Sequence, residues 1–144
     1  MTRFIVLIVL AVVAVAVAYV LQRRRPDPPS APSYRAPSQL DRNDFDQPET
    51  PVLAVVFAST TCNTCPEVWA QVEQLPSELL APELVVQRID VQDGAELHKR
   101  YKIDGVPTTI LANQNGVVAE AFFGPIDDGD LDEALRKLGL DRGQ

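Results

Sequence analysis

The chain's only two cysteines, Cys62 and Cys65, stand as Cys-Asn-Thr-Cys shortly after an apolar run, Val52-Leu53-Ala54-Val55-Val56-Phe57. A continuous apolar run of that length reads as a strand buried on both faces, at the centre of a sheet. Such a strand running into Cys-x-x-Cys at the start of a helix presents two thiols at the sheet's edge. The helix N-terminus carries partial positive charge, which favours the thiolate of the first cysteine. The second cysteine lies within reach to form a disulfide with it. The chemistry this suggests is reversible dithiol–disulfide exchange.

Two other uses of the pair compete with exchange. A structural zinc site needs four ligands. The chain offers two Cys and one His, His98, and cannot complete such a site alone. A purely structural disulfide would close a very short loop and constrain little of the unfolded chain. A short loop near a helix end is easily opened and closed, which suits exchange. No metal and no organic cofactor is implied, because the redox couple is the cysteine pair itself.

Charge is unevenly placed along the 144 residues. Residues 1–25 hold Arg3, Arg23, Arg24 and Arg25 and no acid, whereas the rest carries nine basic against 20 acidic residues. A domain that acidic is a poor candidate for nucleic acid or anionic lipid surfaces. Phe4 to Leu21 is an unbroken run of 18 apolar residues. At about 1.5 Å per residue it spans roughly 27 Å, near the lower limit for a single-pass transmembrane helix. A cleaved signal peptide is the alternative, since Ala16-Val17-Ala18 resembles a small-x-small cleavage site. The run is longer than a usual signal core, and three arginines follow it. The expectation is therefore a membrane anchor. Arg23-Arg24-Arg25 outweigh Arg3 and the α-amino group by about one charge, which places the domain on the cytoplasmic face rather than the exported one.

Three parts follow: an anchor with flanking arginines over 1–25, a linker over 26–37 and a globular domain over 38–144. The linker holds Pro26, Pro28, Pro29, Pro32 and Pro37 and favours extended polyproline-like conformers. In the domain, Asp41–Phe45 reads as a short helix and Val52–Phe57 as a strand. A helix begins at Cys62 or Asn63, with Val68, Val72, Leu75 and Leu79 at helical spacing and a break at Pro76. Leu84–Ile89 is a second strand. Asp93-Gly94-Ala95-Glu96 reads as a capping box opening a helix to about Tyr101. Thr108–Ala112 and Val117–Phe123 are strands joined through Asn113-Gln114-Asn115-Gly116, a hairpin signal. Asp130 caps a last helix that ends at Gly139.

Over about residues 38–140 the chain resembles the thioredoxin family. The resemblance rests on Val56-Phe57 four residues before Cys62-x-x-Cys65, on Tyr101-Lys-Ile-Asp-Gly-Val-Pro-Thr-Thr, on Asn115-Gly116 and on Gly124. It implies an α/β, thioredoxin-like fold: a central mixed β-sheet flanked by helices, here preceded by one N-terminal transmembrane helix. It implies that Pro107 is cis and lies beside the active disulfide, with backbone groups at Val106 offered to an incoming polypeptide. The 45 residues from Cys62 to Pro107 leave no room for the helical insertions of related periplasmic oxidases. Thr61, Val106, Pro107 and Gly124 would shape the substrate groove.

The departures from the family pattern are specific. Thr61 replaces the usual Trp, and Asn63-Thr64 replaces the usual Gly-Pro. The family's buried acid falls at Val56 and its Lys partner near Val86, which removes a general base for the second thiol. His98 reads as an ordinary exposed histidine beside Lys99 and Arg100, and Trp69 as packing between helix and sheet. Phe122 and Phe123 alternate, one into the core and one toward the groove. The resulting expectation is a membrane-tethered thiol–disulfide oxidoreductase, with Cys62 as nucleophile and Cys65 as resolving thiol. Its partners would be protein thiols or disulfides and an unidentified electron donor. The alternative is a non-catalytic thioredoxin-fold adaptor in a membrane complex, which retention of both cysteines opposes.

Overall fold

A computed structural model describes residues 35–79 and 82–141 of the chain. The expected anchor Phe4–Leu21, its arginines and most of the linker lie outside these residues. Among the described residues no helix is long and apolar enough to cross a membrane.

A single 3-10 turn, Arg42–Asp44, comes first. Then follow β1 (Val52–Ala58), α1 (Cys65–Glu73), α2 (Leu75–Glu78), β2 (Leu84–Asp90), α3 (Ala95–Arg100), β3 (Thr108–Asn113), β4 (Val118–Phe123) and α4 (Asp128–Lys137). The sheet order is β2-β1-β3-β4. β1 pairs parallel with β2 and antiparallel with β3, and β3 pairs antiparallel with β4. This is the mixed sheet that the family resemblance implies.

Every residue of β1 is buried, because both faces of the sheet are covered. Val52, Ala54, Val56 and Ala58 point to one side, against Cys65, Val68 and Val72 of α1 and Leu131 and Leu135 of α4. Leu53, Val55 and Phe57 point to the other, against Leu40, Phe45, Ile89 and Tyr101. A period of two thus sorts one apolar run into two cores.

Element boundaries moved where the expectation missed how a helix end is satisfied. α1 starts at Cys65, not Cys62 or Asn63, because the first cysteine is still in the entering loop. The break before α2 falls at Gln74. Pro76 sits in the first turn of α2, where its missing N–H leaves no bond unmade. The expected capping box at Asp93 does not form: Gly94 is the N-cap of α3, and no side chain caps it. α4 is capped by Asp127 rather than Asp130, with the Asp127 carboxylate accepting from the Gly129 N–H at 2.9 Å.

The hairpin stands at Asn113–Gly116 as expected. Asn113 Oδ1 accepts from the N–H groups of Asn115 and Val117, each at 3.0 Å. Gly116 has φ +75°, and a Cβ there would lie 2.0 Å from the Leu40 carbonyl oxygen. Only glycine fits both constraints. The Gly116 carbonyl in turn accepts from the Leu40 N–H, so the N-terminal segment is laced to the hairpin.

His98 is the clearest correction. It is buried, with Nε2 3.0 Å from the Ile89 carbonyl and its ring edge-on to Phe57 at 5.1 Å. A carbonyl only accepts, so Nε2 carries the proton. Lys99 and Arg100 take the outer face of α3, and the flat imidazole fills the space under it. His98 is thus a core residue on the side of the sheet away from α1.

Tyr101, one turn on, locks the N-terminal segment down. Its hydroxyl donates to Asp44 and accepts from the Asp41 N–H at 3.0 Å. Arg100 bridges the same two acids. Burial, and then the bond to Asp44, push the Tyr101 phenol up to about 12. A group whose folded pKa is raised contributes stability that is complete below its unfolded value, near 10, and is lost as pH rises toward 12. The domain should therefore lose on the order of 2 kcal/mol across that window through this one phenol. In urea unfolding series, Tyr101→Phe should flatten the loss by that amount, and equal slopes in the two proteins would contradict the assignment.

Candidate active site

β1 delivers the chain to the C-terminal end of the sheet, and the loop Ser59–Thr64 carries it into α1. Polar bonds hold that loop. Ser59 Oγ accepts from the Thr61 N–H at 3.3 Å and from Gln92 Nε2 at 3.1 Å. Both lone pairs are then used, so its own proton goes to Thr61 Oγ1, 3.0 Å away. Gln92 returns through its carbonyl oxygen to the Thr60 N–H at 3.2 Å. The Cys62 N–H donates to the Ser59 carbonyl at 3.2 Å.

Cys62 and Cys65 are joined as a disulfide, with Cα atoms 5.5 Å apart. Cys62 is only partly buried, and Cys65 is fully buried. Thr64, the N-cap of α1, makes no side-chain cap bond. Cys62 Sγ takes that place, accepting the Cys65 N–H at 3.1 Å. The first orphan donor of the helix is therefore aimed at the outer sulfur. Pro66, next in line, has no N–H to compete. A negative sulfur at position 62 would strengthen this bond and sit at the positive end of the helix dipole.

The remaining expected groove residues lie at the same end of the sheet. The strand register aligns Phe57, Thr108 and Phe123 in one row. Just beyond that row come the cysteine loop, Pro107 and Gly124. The Val106–Pro107 bond is cis, as expected. The Gly124 N–H donates to the Pro107 carbonyl at 2.9 Å, and Gly124 has φ +86°. Thr108 Oγ1 donates to the Gly105 carbonyl at 2.7 Å and steadies the turn before the proline. Val106 is half-buried and packs on the same cluster as Cys62, Trp69, Phe122 and Ile126. Phe122 turns inward and Phe123 outward, as the alternation predicts. Thr61 is exposed at the lip of the loop.

Val56 and Val86 both sit on the face under α1, with Val56 fully buried. The family's acid and lysine positions are thus apolar here in space as well as in sequence. Among the described residues no group of three or more His, Cys, Asp or Glu side chains gathers as a metal ion would need. Ser59 and Gln92 were not anticipated. The hydroxyl-rich Ser59-Thr60-Thr61 run was a signal for the first. Gln92 had none, because its approach depends on the parallel register of β1 with β2.

Comparison with known proteins agrees with this fold. The Thioredoxin family model matches residues 39–137. Mitochondrial thioredoxin of Bos taurus is 32% identical over 90 residues, covering 62% of this chain and 52% of that protein. The chain thus spans about half the length of that relative. Thioredoxin-1 of Drosophila melanogaster is 31% identical over 87 residues, covering 60% of this chain and 78% of the relative. Among solved structures, the germline-specific thioredoxin Deadhead of the same fly superposes with TM-score 0.53 at 30% identity, over 63% of this chain and 84% of that one. Thioredoxin of Fasciola hepatica superposes with TM-score 0.55 at 22% identity, over 66% and 88% of the two chains, and shares the fold.

Proposed function

The chain belongs to the thioredoxin family, and from that premise we propose that it is a membrane-tethered thiol–disulfide oxidoreductase acting on protein substrates. The observation that carries this reading is the asymmetry of the Cys62–Cys65 pair. One sulfur is accessible and receives a helix N-terminal N–H, and the other is fully buried directly behind it. Exchange needs that asymmetry. Cys62, as thiolate, attacks a substrate disulfide, one substrate sulfur leaves as thiolate, and a mixed disulfide forms. Cys65 then attacks Cys62 Sγ, closing the pair and releasing the second substrate thiolate. The substrate is reduced by two electrons and the pair is oxidised by two. An electron donor resets the pair.

Thr61, Val106, Pro107 and Gly124 border the groove in this reading, and the backbone at Val106 meets the substrate chain. Phe4–Leu21 is the tether, with Arg23–Arg25 holding the domain on the cytoplasmic face. Dithiothreitol-driven insulin reduction by the full chain tests the activity. Turnover above the reagent background is expected, and background-level turnover would favour an adaptor that uses only the fold. A protease that cannot cross the membrane, added to intact cells, tests the topology. It should spare the domain, and cleavage in the proline linker would place the domain on the exported face.

A further inference from the structure

Thr109 in β3 is fully buried, and its hydroxyl has no hydrogen-bond partner. Four other polar side chains are buried among the described residues: Arg42, Ser59, His98 and Thr108. Ser59, His98 and Thr108 are all hydrogen-bonded. The Arg42 guanidinium reaches the carbonyls of Gln47, Thr50 and Asn113, with only its Nε left over. Thr109 alone of the five has no partner at all. An unpaired buried hydroxyl is costly, and valine would fill the same space without that cost.

The face on which Thr109 lies follows from the register. It is paired with Val56 across β1 and with Phe122 across β4, and directly opposed residues share a face. Leu111, two residues on, lies on that face as well. Val56, Phe122 and Leu111 all belong to the cluster that holds Cys65. The orphan hydroxyl therefore sits under α1, on the side of the sheet where the resolving thiol is buried. In the oxidised pair the Cys65 sulfur is neutral and asks for no donor. Once the disulfide opens, Cys65 must ionise to react, in a place where burial opposes a thiolate.

We infer that the Thr109 hydroxyl is the donor that stabilises the Cys65 thiolate during the resolving step. The inference rests on the exchange chemistry proposed above. The Cys65 thiol gives its proton to solvent, and the Thr109 O–H turns to the resulting thiolate. That thiolate attacks Cys62 Sγ of the mixed disulfide, the Cys62–Cys65 bond forms, and the substrate sulfur leaves as a thiolate that takes up a proton. A hydrogen bond to a charged acceptor outweighs one to a neutral thiol, so the hydroxyl shifts Cys65 toward ionisation.

The test uses the full chain as wild type, Thr109→Val and Thr109→Ser. Cys62 is loaded with a chromogenic aryl thiol as a mixed disulfide, and release of that thiol reports attack by Cys65. Thiolate absorbance of the reduced protein gives the ionisation profile. In Thr109→Val, release at neutral pH should slow about tenfold and the Cys65 ionisation should move up by about one pH unit. The fold should be as stable as wild type or more so. Thr109→Ser, which keeps the hydroxyl, should retain the wild-type profile. Unchanged release and ionisation in Thr109→Val would overturn the inference while exchange itself stands. Equal slowing in Thr109→Ser would also overturn it, by tracing the effect to packing. Wild-type protein that releases nothing would instead remove the exchange chemistry, and this inference with it.

Discussion

Cys65→Ser should accumulate covalent complexes with protein substrates, whereas Cys62→Ser should form none and fall to the uncatalysed level of insulin reduction. The difference follows from access. Cys62 lies at the edge of the loop with the Cys65 N–H directed at its sulfur, so it remains able to attack when position 65 is serine. Serine cannot resolve the mixed disulfide, because its hydroxyl is a far weaker nucleophile than a thiolate and forms no bond that releases the partner. Non-reducing gels of each variant after incubation with oxidised substrate read the outcome directly. Adducts on Cys62→Ser and none on Cys65→Ser would reverse the assigned roles. Alkylation of the reduced wild type should likewise mark Cys62 first.

Val56→Asp should destabilise the domain by about 3 kcal/mol or more at neutral pH. Val56 is fully buried between Arg88 of β2 and Thr109 of β3. Arg88 is already paired with Asp90 at 2.8 Å, so a new carboxylate finds one free hydroxyl and must compete with Asp90 for the cation. Burial would raise the folded pKa of the introduced acid. A raised folded pKa gives stability below the unfolded value that is lost as pH rises, so the deficit should shrink on acidification. Urea unfolding near neutral pH and again near pH 5 checks both the size and the sign. A variant as stable as wild type would mean that the face beneath α1 is wetter than the cluster around Cys65 indicates. Domains of this size hold only about 5–15 kcal/mol in all, so a loss of this size is readily measured.

The centre of the fold was legible because its signals are local. A six-residue apolar run, a Cys-x-x-Cys and an Asn-Gly turn each carry their own geometry, and β1, the Cys62–Cys65 disulfide and the hairpin stand where those residues put them. The cis bond at Pro107 came from the family resemblance, not from composition. Helix starts were less legible. Several polar residues compete to cap a turn, and only the path of the chain shows that Asp127 rather than Asp130 does so. His98 departs from the expectation because Lys99 and Arg100 beside it suggest a solvated face, yet the six-residue helix turns one side inward at His98, with Tyr101 at its C-cap buried as well. The support of the active loop was invisible for a different reason. Gln92 reaches Ser59 only through the parallel register of β1 with β2, a relation between residues 33 positions apart. Thr109 looked like one more β-branched strand residue, and only the missing partner of its hydroxyl sets it apart.

The most direct test of a redox-active pair is the equilibrium of the native Cys62–Cys65 disulfide with a graded dithiothreitol redox buffer. The full chain is acid-quenched at each potential, and free thiols are counted by alkylation and mass. The pair should open and close reversibly as a single two-electron couple, with about 30 mV per tenfold change in ratio, while the domain stays folded throughout. A disulfide that resists reduction until the domain unfolds would contradict that, and would make Cys62–Cys65 a structural crosslink in a thioredoxin-fold adaptor.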